Sequence, residues 1–184
     1  MARGFTEQPL PAWHRAVLKV GSSLLTTPGG ALSGAHAEGL AAFVRASRSA
    51  GREVVIVSSG AVAAGRGFAA PERAAGLTGR QALAALGQTR LIALWQGFFD
   101  APVAQVLLTH DDLRNRRRYL NARSTLRELL ALGAIPVINE NDTVAVDELQ
   151  ISFGDNDRLA ALVTNLLRAP LLVLLSDVEG LYDR

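Results

Sequence analysis

The sequence has no cysteine among its 184 residues, and its three histidines (His14, His36 and His110) stand at unrelated spacings. A chain without cysteine forms no disulfide, offers no thiolate to a metal and has no cysteine nucleophile. The scattered histidines lack the paired spacing of a zinc site. These absences exclude disulfide-rich secreted proteins and thiol enzymes, and they fit a reducing compartment such as the cytoplasm.

Long apolar runs are missing as well. No stretch approaches the roughly 18 to 20 uncharged residues of a membrane span. The first 13 residues hold two prolines and a glutamate but no signal-peptide core. At 49% hydrophobic and 20% charged residues, the composition is that of a globular chain with a sizeable core. The sequence therefore predicts neither secretion nor membrane insertion.

Neither sign of charge is in excess. With 19 basic and 17 acidic residues the net charge is +2, so the composition does not demand a nucleic-acid partner. The arginine-rich run Arg114–Arg118, with only Tyr119 as a neighbouring aromatic, is more typical of a solvated helix face.

Lysine is scarce, since Lys19 is the only one. The single lysine could have been retained by chance. Alternatively, a phosphate contact would require its compact ammonium, which an arginine guanidinium does not reproduce.

Apolar segments of strand length alternate with alanine-rich and leucine-rich segments of helical period. The predicted strands are Ala16–Val20, Glu53–Val57, Pro102–Leu108, Ile135–Ile138 and Leu171–Leu175; the predicted helices are Ser33–Ala50, Gly79–Phe99, Asp111–Leu132 and Asn156–Arg168. This order predicts an α/β fold with a mainly parallel sheet covered on both faces. The apolar stretch Leu83–Phe99 is expected to serve the core rather than an interface. The alternating pattern in Thr143–Phe153 predicts a hairpin near the sheet edge.

No linker or repeat divides the chain, so one domain is expected over residues 16–184, after an N-terminal extension of residues 1–15. The last predicted strand is followed by a turn at Glu179–Gly180, and the sequence stops shortly afterwards. We therefore expect the domain to be incomplete at its C-terminal end.

Ligands of a parallel sheet gather beyond the carboxyl ends of its strands. Lys19 lies at the end of the first strand, and Gly21 and Ser22 follow with backbone N–H and hydroxyl groups that suit phosphate oxygens. An ordinary turn with a snorkelling lysine is the alternative, because the loop matches neither Walker A nor G-x-G-x-x-G. After the second strand, the small residues Ser58–Gly65 enter a helix whose N-terminus suits an anion. Capping by one of its two serines explains the same pattern.

Two polar clusters follow later elements. Asn139–Asp142 comes directly after the fourth strand, and Gly154–Asp157 places two carboxylates and an amide at a helix start. A solvated turn would explain some of the polar residues in the first cluster, and a helix cap would explain one of those in the second. Together the clusters favour a site that holds a metal, orients an ammonium or receives a substrate amine. The spacing of a calcium loop is absent.

Five segments, in this order, resemble the amino acid kinase family. They are Val17–Thr26, Val57–Gly65, Asn139–Asp142, Gly154–Asp157 and Leu175–Tyr182, and Gly87–Gln88 and Tyr119–Arg123 fit as well. The resemblance, which runs from about Ala16 to Arg184, implies a three-layer αβα sandwich. It points to the members that use ATP and Mg²⁺ to phosphorylate the side-chain carboxylate of L-glutamate, the first step of proline synthesis. It also implies a homo-oligomer and feedback inhibition by proline.

The resemblance further implies roles for individual residues. Lys19 would contact the transferring phosphoryl group, and Asp157 would hold Lys19 in position. The implied substrate-binding residues are Ser59, Gly60, Ala61, Asp142 and Asn156, with Asp142 facing the amino group. The implied nucleotide-binding residues are Lys19, Gly21, Ser22, Ser176 and Asp177. No side chain is assigned to a metal.

Two considerations bear on activity. The carboxylate of glutamate is ionised at neutral pH, with a pKa of ~4.3, so it needs no general base to attack a phosphoryl group. The kinase domain of the family, however, continues with a glycine-rich nucleotide-binding stretch and a second phosphate-contacting lysine, and many members add an RNA-binding-like PUA module. None of this is in the sequence. We therefore expect little or no kinase activity from these 184 residues alone.

Other functions stay open at this point. Within the family, the rivals act on acetylglutamate, aspartate, carbamate or a nucleoside monophosphate, and the Ser59–Ala61 loop paired with Asn139–Asp142 favours free glutamate. A catalytically silent module that binds an amino acid and regulates a partner is the alternative from another class. A Rossmann dehydrogenase is more remote, because no glycine fingerprint follows the first strand.

Overall fold

A computed structural model describes residues 12–27, 29–68, 76–145 and 155–175. The strands in these ranges are β1 Arg15–Val20, β2 Glu53–Ser58, β3 Val103–Leu108, β4 Ile135–Glu140 and β5 Leu171–Leu175. The α-helices are α1 Ala37–Ser49, α2 Ala61–Gly65, α3 Gly76–Gln96, α4 His110–Arg114, α5 Arg116–Ala131 and α6 Asp155–Leu167. The five predicted strands are confirmed, each to within two residues at either end.

The strands form one sheet in the order β3-β4-β2-β1-β5, and all four neighbouring pairs are parallel. Within this sheet Lys19 of β1 stands beside Val57 of β2 and Leu174 of β5. Parallel pairing brings the carboxyl ends of the strands to one edge. The loops that carry the predicted site residues after β1, β2 and β4 therefore share that edge.

Side chains alternate between the two faces of the sheet and build a core on each. On one face Leu18, Val54 and Ile56 pack with residues of α1, α2 and α3, including Trp95. On the other face Val17, Val55 and Val57 pack with residues of α5 and α6. Near-continuous apolar strands with helices on both sides make the αβα sandwich that the sequence predicted.

Helix α3 belongs to the core, as expected from its apolar residues. Leu91 and Trp95 are fully buried, and the ring of Phe99 stacks on Trp95 with centroids 6.4 Å apart. Trp95 Nε1 donates to Ser58 Oγ at 2.9 Å, so its polar group is satisfied inside the core. This bond ties α3 to the carboxyl end of β2, close to the predicted site.

Helices α2 and α3 approach each other through glycines. A methyl group at Gly87 would overlap the carbonyl oxygen of Ala61 and the backbone nitrogen of Gly65, and one at Gly65 would overlap the carbonyl of Leu83. Backbones come this close only where no Cβ intervenes. The contact holds the start of α2, and with it the loop after β2, against α3.

The prediction of one continuous helix over Asp111–Leu132 is wrong. The chain leaves helical geometry at Asn115, whose φ and ψ are −75° and 116°, and α4 and α5 are separate helices. Asn115 Oδ1 accepts from the backbone N–H of Arg117 and Arg118, so its side chain caps α5. The helix predicted from Ser33 begins at Ala37. Most of the hairpin predicted over Thr143–Phe153 lies outside the described residues.

The arginines that flank this break are exposed, in agreement with a solvated helix face. One of them, Arg118, forms an ion pair with Asp112 at 2.9 Å. Among the helices of the described ranges, none combines the length and the apolar character needed to span a bilayer.

Asp112 and Thr109 form a capping box at the start of α4. Asp112 N donates to Thr109 Oγ1 at 3.2 Å, and Thr109 N donates to Asp112 Oδ2 at 2.8 Å. Burial alone would raise the pKa of Asp112, but the hydrogen bonds from the Thr109 side chain and backbone and from Arg118 outweigh it. The pKa of this carboxyl therefore lies below its ordinary value.

Replacement of Asp112 by asparagine is expected to lower the free energy of unfolding by about 1 kcal/mol at pH 7. Because the folded-state pKa is depressed, the carboxylate contributes fully above the ordinary aspartate value of about 4, and the contribution is lost as the pH falls through the folded-state pKa. Urea unfolding at several pH values measures this. The difference between the two proteins should shrink in acid, whereas the exposed neighbour Asp111→Asn should show no such trend; a difference that persists in acid would contradict the assignment.

Candidate active site

A cavity of about 260 Å³ opens at the carboxyl edge of the sheet. Its lining comprises Ser22, Ser59, Gly60, Ala61, Val62, Ala63, Arg66, Asn139, Glu140, Asp142 and Asn156. The five residues that the family resemblance assigns to the substrate all belong to this lining, and so does Ser22 from the loop after β1. Cavities for drug-sized ligands measure about 300 to 1,000 Å³, so this one suits a small metabolite.

Lys19 and Asp157 form an ion pair beside this cavity. Lys19 Nζ lies 2.6 Å from Asp157 Oδ1, and the lysine side chain is only 12% exposed, whereas that of Asp157 is 50% exposed. The two residues are far apart in sequence and meet because the start of α6 packs at the carboxyl end of β1. A lysine held this way has fewer rotamers to lose when it contacts a ligand.

The loop after β1 lies close to the lysine ammonium. A Cβ built on Gly21 would lie 3.7 Å from Lys19 Nζ and 3.9 Å from the carbonyl oxygen of Leu175. Ser59 N donates to the carbonyl oxygen of Val20 at 3.0 Å, which joins the ends of β1 and β2. The predicted phosphate loop and the predicted substrate loop are thus connected directly through their backbones.

A chain of amide side chains runs beneath the cavity. Asn156 Nδ2 donates to Ser59 Oγ and, at 3.1 Å, to Asn139 Oδ1. Asn139 Nδ2 donates in turn to Gln88 Oε1 at 3.1 Å. Asn139, Asn156 and Gln88 are all buried. The chain joins α6, β4, α3 and the end of β2, so the position of each member depends on the others.

These bonds decide what the site offers to a ligand. Both hydrogens of Asn156 Nδ2 are used, which leaves Asn156 Oδ1 as an acceptor. Ser59 Oγ already accepts a bond and keeps its own hydrogen to donate. Among the lining residues, Asn156 thus keeps an acceptor oxygen, Ser59 keeps a hydroxyl donor and Asp142 carries a carboxylate, a set that suits a ligand with both an ammonium and a carboxylate.

The alternative that a serine only caps α2 is wrong. The N-cap of α2 is Gly60, in a left-handed conformation with φ 112°, and no side chain caps this helix end. Ser58 instead accepts the bond from Trp95, and Ser59 accepts from Asn156. The left-handed backbone explains why a glycine stands at this turn.

The sequence pattern assigns no individual role to Gln88, Asn139 or Arg66, all of which belong to this site or support it. Gln88 appeared only in a matching segment, and its burial beside Asn139 depends on how α3 packs. Its Nε2 is buried and has no hydrogen-bond partner within the described part of the chain. Asn139 lay in a polar stretch without a role of its own. Arg66 follows α2, and no sequence pattern singles out its place on the cavity wall.

The structure describes only some of the residues that the resemblance assigns to the nucleotide. Ser176 and Asp177 lie outside the described residues, as does the side chain of Asp155. Over the ranges the structure covers, no three His, Cys, Asp or Glu side chains gather into a metal site. Lys19, Gly21 and Ser22 remain as the described candidates for phosphate contacts.

Comparisons with known proteins agree with this fold. A model of the amino acid kinase family matches residues 14–184. The glutamate 5-kinase of Xylella fastidiosa (strain M12) is 67% identical over 180 residues, which cover 97% of this chain and 46% of the relative. The glutamate 5-kinase of Xanthomonas campestris pv. campestris (strain 8004) is 68% identical over 169 residues, which cover 91% of this chain and 46% of the relative.

The chain spans about half the length of the curated relatives it matches. The family model nevertheless covers nearly all of it, from just before β1 to its last residue. The parallel sheet, the two helical layers and the residues gathered at its carboxyl edge accompany that match. This chain belongs to the amino acid kinase family.

Proposed function

We propose that the protein phosphorylates the side-chain carboxylate of L-glutamate with ATP to form γ-glutamyl phosphate. The observation that carries the proposal is the ion pair of Lys19 and Asp157 at the edge of a small cavity lined by Ser59, Asp142 and Asn156. The relatives bearing the name glutamate 5-kinase support the choice of substrate.

The cavity favours a free α-amino acid as the acceptor. Asp142 and Asn156 Oδ1 are acceptors for an ammonium group, which acetylglutamate lacks. A carboxylate that receives a charged donor contributes about 1.5 to 3 kcal/mol, enough to separate glutamate from its acetylated form. This polarity argues against the acetylglutamate alternative.

The proposed reaction requires no covalent intermediate with the protein. The glutamate carboxylate is already ionised and attacks as it stands. Lys19 would place its ammonium where negative charge builds on the transferring phosphoryl group, and Asp157 would keep that ammonium in place. Gly21 and Ser22 would hold the phosphates of ATP through N–H and hydroxyl groups.

Magnesium fits this arrangement in the way usual for nucleotide enzymes. Mg²⁺ bound to ATP is held mainly by phosphate oxygens and water, with one or two carboxylates from the protein. A site without a dedicated carboxylate cluster in the described ranges is compatible with that. The ion would neutralise charge on the phosphates.

The wider setting follows from the same proposal. The product would enter proline synthesis, and the enzyme would work in the cytoplasm as a homo-oligomer that proline inhibits. These points rest on the resemblance to the family alone. Nucleic acid and membrane have no part in the proposed reaction.

Trapping of the acyl phosphate tests the activity. Hydroxylamine converts γ-glutamyl phosphate to a hydroxamate, so ATP-dependent hydroxamate should form with L-glutamate and not with acetylglutamate or aspartate. The assay is run on the 184-residue chain and on the chain extended to the length of its relatives. Glutamate binding without hydroxamate from either length would instead support the regulatory module.

Replacing Asp142 by asparagine is expected to weaken glutamate binding about 30-fold, the equivalent of ~2 kcal/mol, because the substrate ammonium loses a charged acceptor. Calorimetric titration of the chain with glutamate measures this. The exposed carboxylate Asp100 provides a control, since Asp100→Asn should leave the affinity unchanged. Unaltered affinity in Asp142→Asn, with a native circular dichroism spectrum, would remove Asp142 from the substrate site.

A further inference from the structure

Arg66 lies on the wall of the proposed substrate cavity. It directly follows α2, about one and a half helical turns after the Ser59–Gly60 loop. Within the described part of the chain no hydrogen bond or ion pair engages its guanidinium. Among the described lining residues of the cavity it is the only cation, because the other charged members are Glu140 and Asp142.

The proposed reaction decides which end of the substrate needs this cation. The side-chain carboxylate must approach the phosphoryl group, and Lys19, which would contact that group, is bound to Asp157. The substrate ammonium would face Asp142 and Asn156. Among the described lining residues of the cavity, Arg66 is then the one cation left to pair with the α-carboxylate.

We propose that Arg66 binds the α-carboxylate of the amino acid substrate and so determines its specificity. The inference rests on the proposed function. A guanidinium presents parallel N–H donors that match a carboxylate, and such charge-assisted bonds are about twice as strong as neutral ones. The site would thereby reject ω-amino acids, which share the reacting carboxylate and an ammonium with glutamate but lack the α-carboxylate.

A neighbouring arginine, Arg90, provides a control for the substitution of Arg66. Arg66 also borders a second cavity, which it shares with Gly30 and Arg90. Arg90 lies over the ring of Phe68, with its guanidinium carbon 3.8 Å from the centroid, and it is not part of the substrate-cavity wall. Arg90→Gln therefore removes a neighbouring exposed guanidinium without touching the proposed substrate contact.

Two ligands that differ by the α-carboxylate test the inference. The affinities of L-glutamate and of 4-aminobutyrate are measured by calorimetry, with displacement titrations for the weaker ligand, in the unsubstituted chain and in Arg66→Gln. We expect Arg66→Gln to weaken glutamate about 30-fold and 4-aminobutyrate less than about threefold. Arg66→Lys should restore part of the glutamate affinity, and Arg90→Gln should bind both ligands normally.

Each remaining outcome is decisive. An equal loss for both ligands, or no loss for glutamate, overturns the assignment of Arg66 and leaves the proposed function intact. Loss of discrimination in Arg90→Gln as well would also overturn it, because a general change of charge would then explain the effect. If neither the 184-residue chain nor the chain extended to the length of its relatives binds glutamate, the proposed function fails and this inference fails with it. Circular dichroism verifies that each variant is folded.

Discussion

Lys19→Ala is expected to lower kcat for γ-glutamyl phosphate formation by ~100-fold or more while the KM for glutamate changes little. The ammonium would act on charge that develops in the transition state, and an interaction made only there appears in kcat. The planar guanidinium of an arginine has a different shape from the compact ammonium of Lys19, and no other lysine is present in these 184 residues to take its place. Steady-state hydroxamate formation, in whichever length of the protein is active, gives both constants.

The same strand provides a matched control. Arg15 begins β1 and bonds to Glu53 and to the carbonyl oxygen of Leu167, at the end opposite to Lys19. Arg15→Ala should cost stability without lowering kcat. A kcat for Lys19→Ala within a few fold of the unsubstituted enzyme would exclude this lysine from the mechanism.

Gly87→Ala is expected to destabilise the fold by about 3 kcal/mol or more. The added methyl group meets backbone atoms of Ala61 and Gly65, which cannot rotate away as a side chain would. Relief requires α2 to separate from α3, and α2 begins at the Gly60–Ala61 loop of the cavity. Loss of glutamate affinity should therefore accompany the loss of stability. Urea unfolding and calorimetric titration measure the two effects.

Gly39 offers the control for this glycine. It also lies in a helix, α1, but a Cβ there would meet nothing within 4 Å. Gly39→Ala should stabilise the protein by up to about 1 kcal/mol, the usual gain of alanine over glycine in a helix. If Gly87→Ala were equally harmless, the close packing of α2 on α3 would not hold in solution.

Strand positions and the fold class were predictable because their signal is local. Buried parallel strands are almost continuously apolar, and Glu53–Ser58 and Ile135–Glu140 show this without reference to any other part of the chain. The break at Asn115 was missed because the flanking residues keep a helical pattern. Asparagine is found both at helix caps and, less often, within helices, so only the backbone geometry shows that Asn115 caps α5.

The candidate site was predictable in part for a similar reason. Lys19, Ser59, Asp142 and Asn156 stand at or just after the carboxyl ends of strands or at a helix start, where the topology of a parallel sheet places ligand contacts. Gln88 lies within α3 and Arg66 directly follows α2, so neither stands at the end of a strand. Their part in the site arises from the packing of α2 and α3, which depends on Gly65 and Gly87 fitting against distant backbone.

The sequence by itself determined the α/β class, the strand positions and the edge of the sheet where the candidate site residues gather, because hydrophobic period and strand-end polarity are properties of short segments. Only the tertiary structure decided which polar groups meet. Lys19 and Asp157 are far apart in the chain, and so are Asn156, Asn139 and Gln88. Hydrogen bonds and direct ion-pair contacts form at separations of about 3 Å, so which groups pair depends on how the helices pack on the sheet.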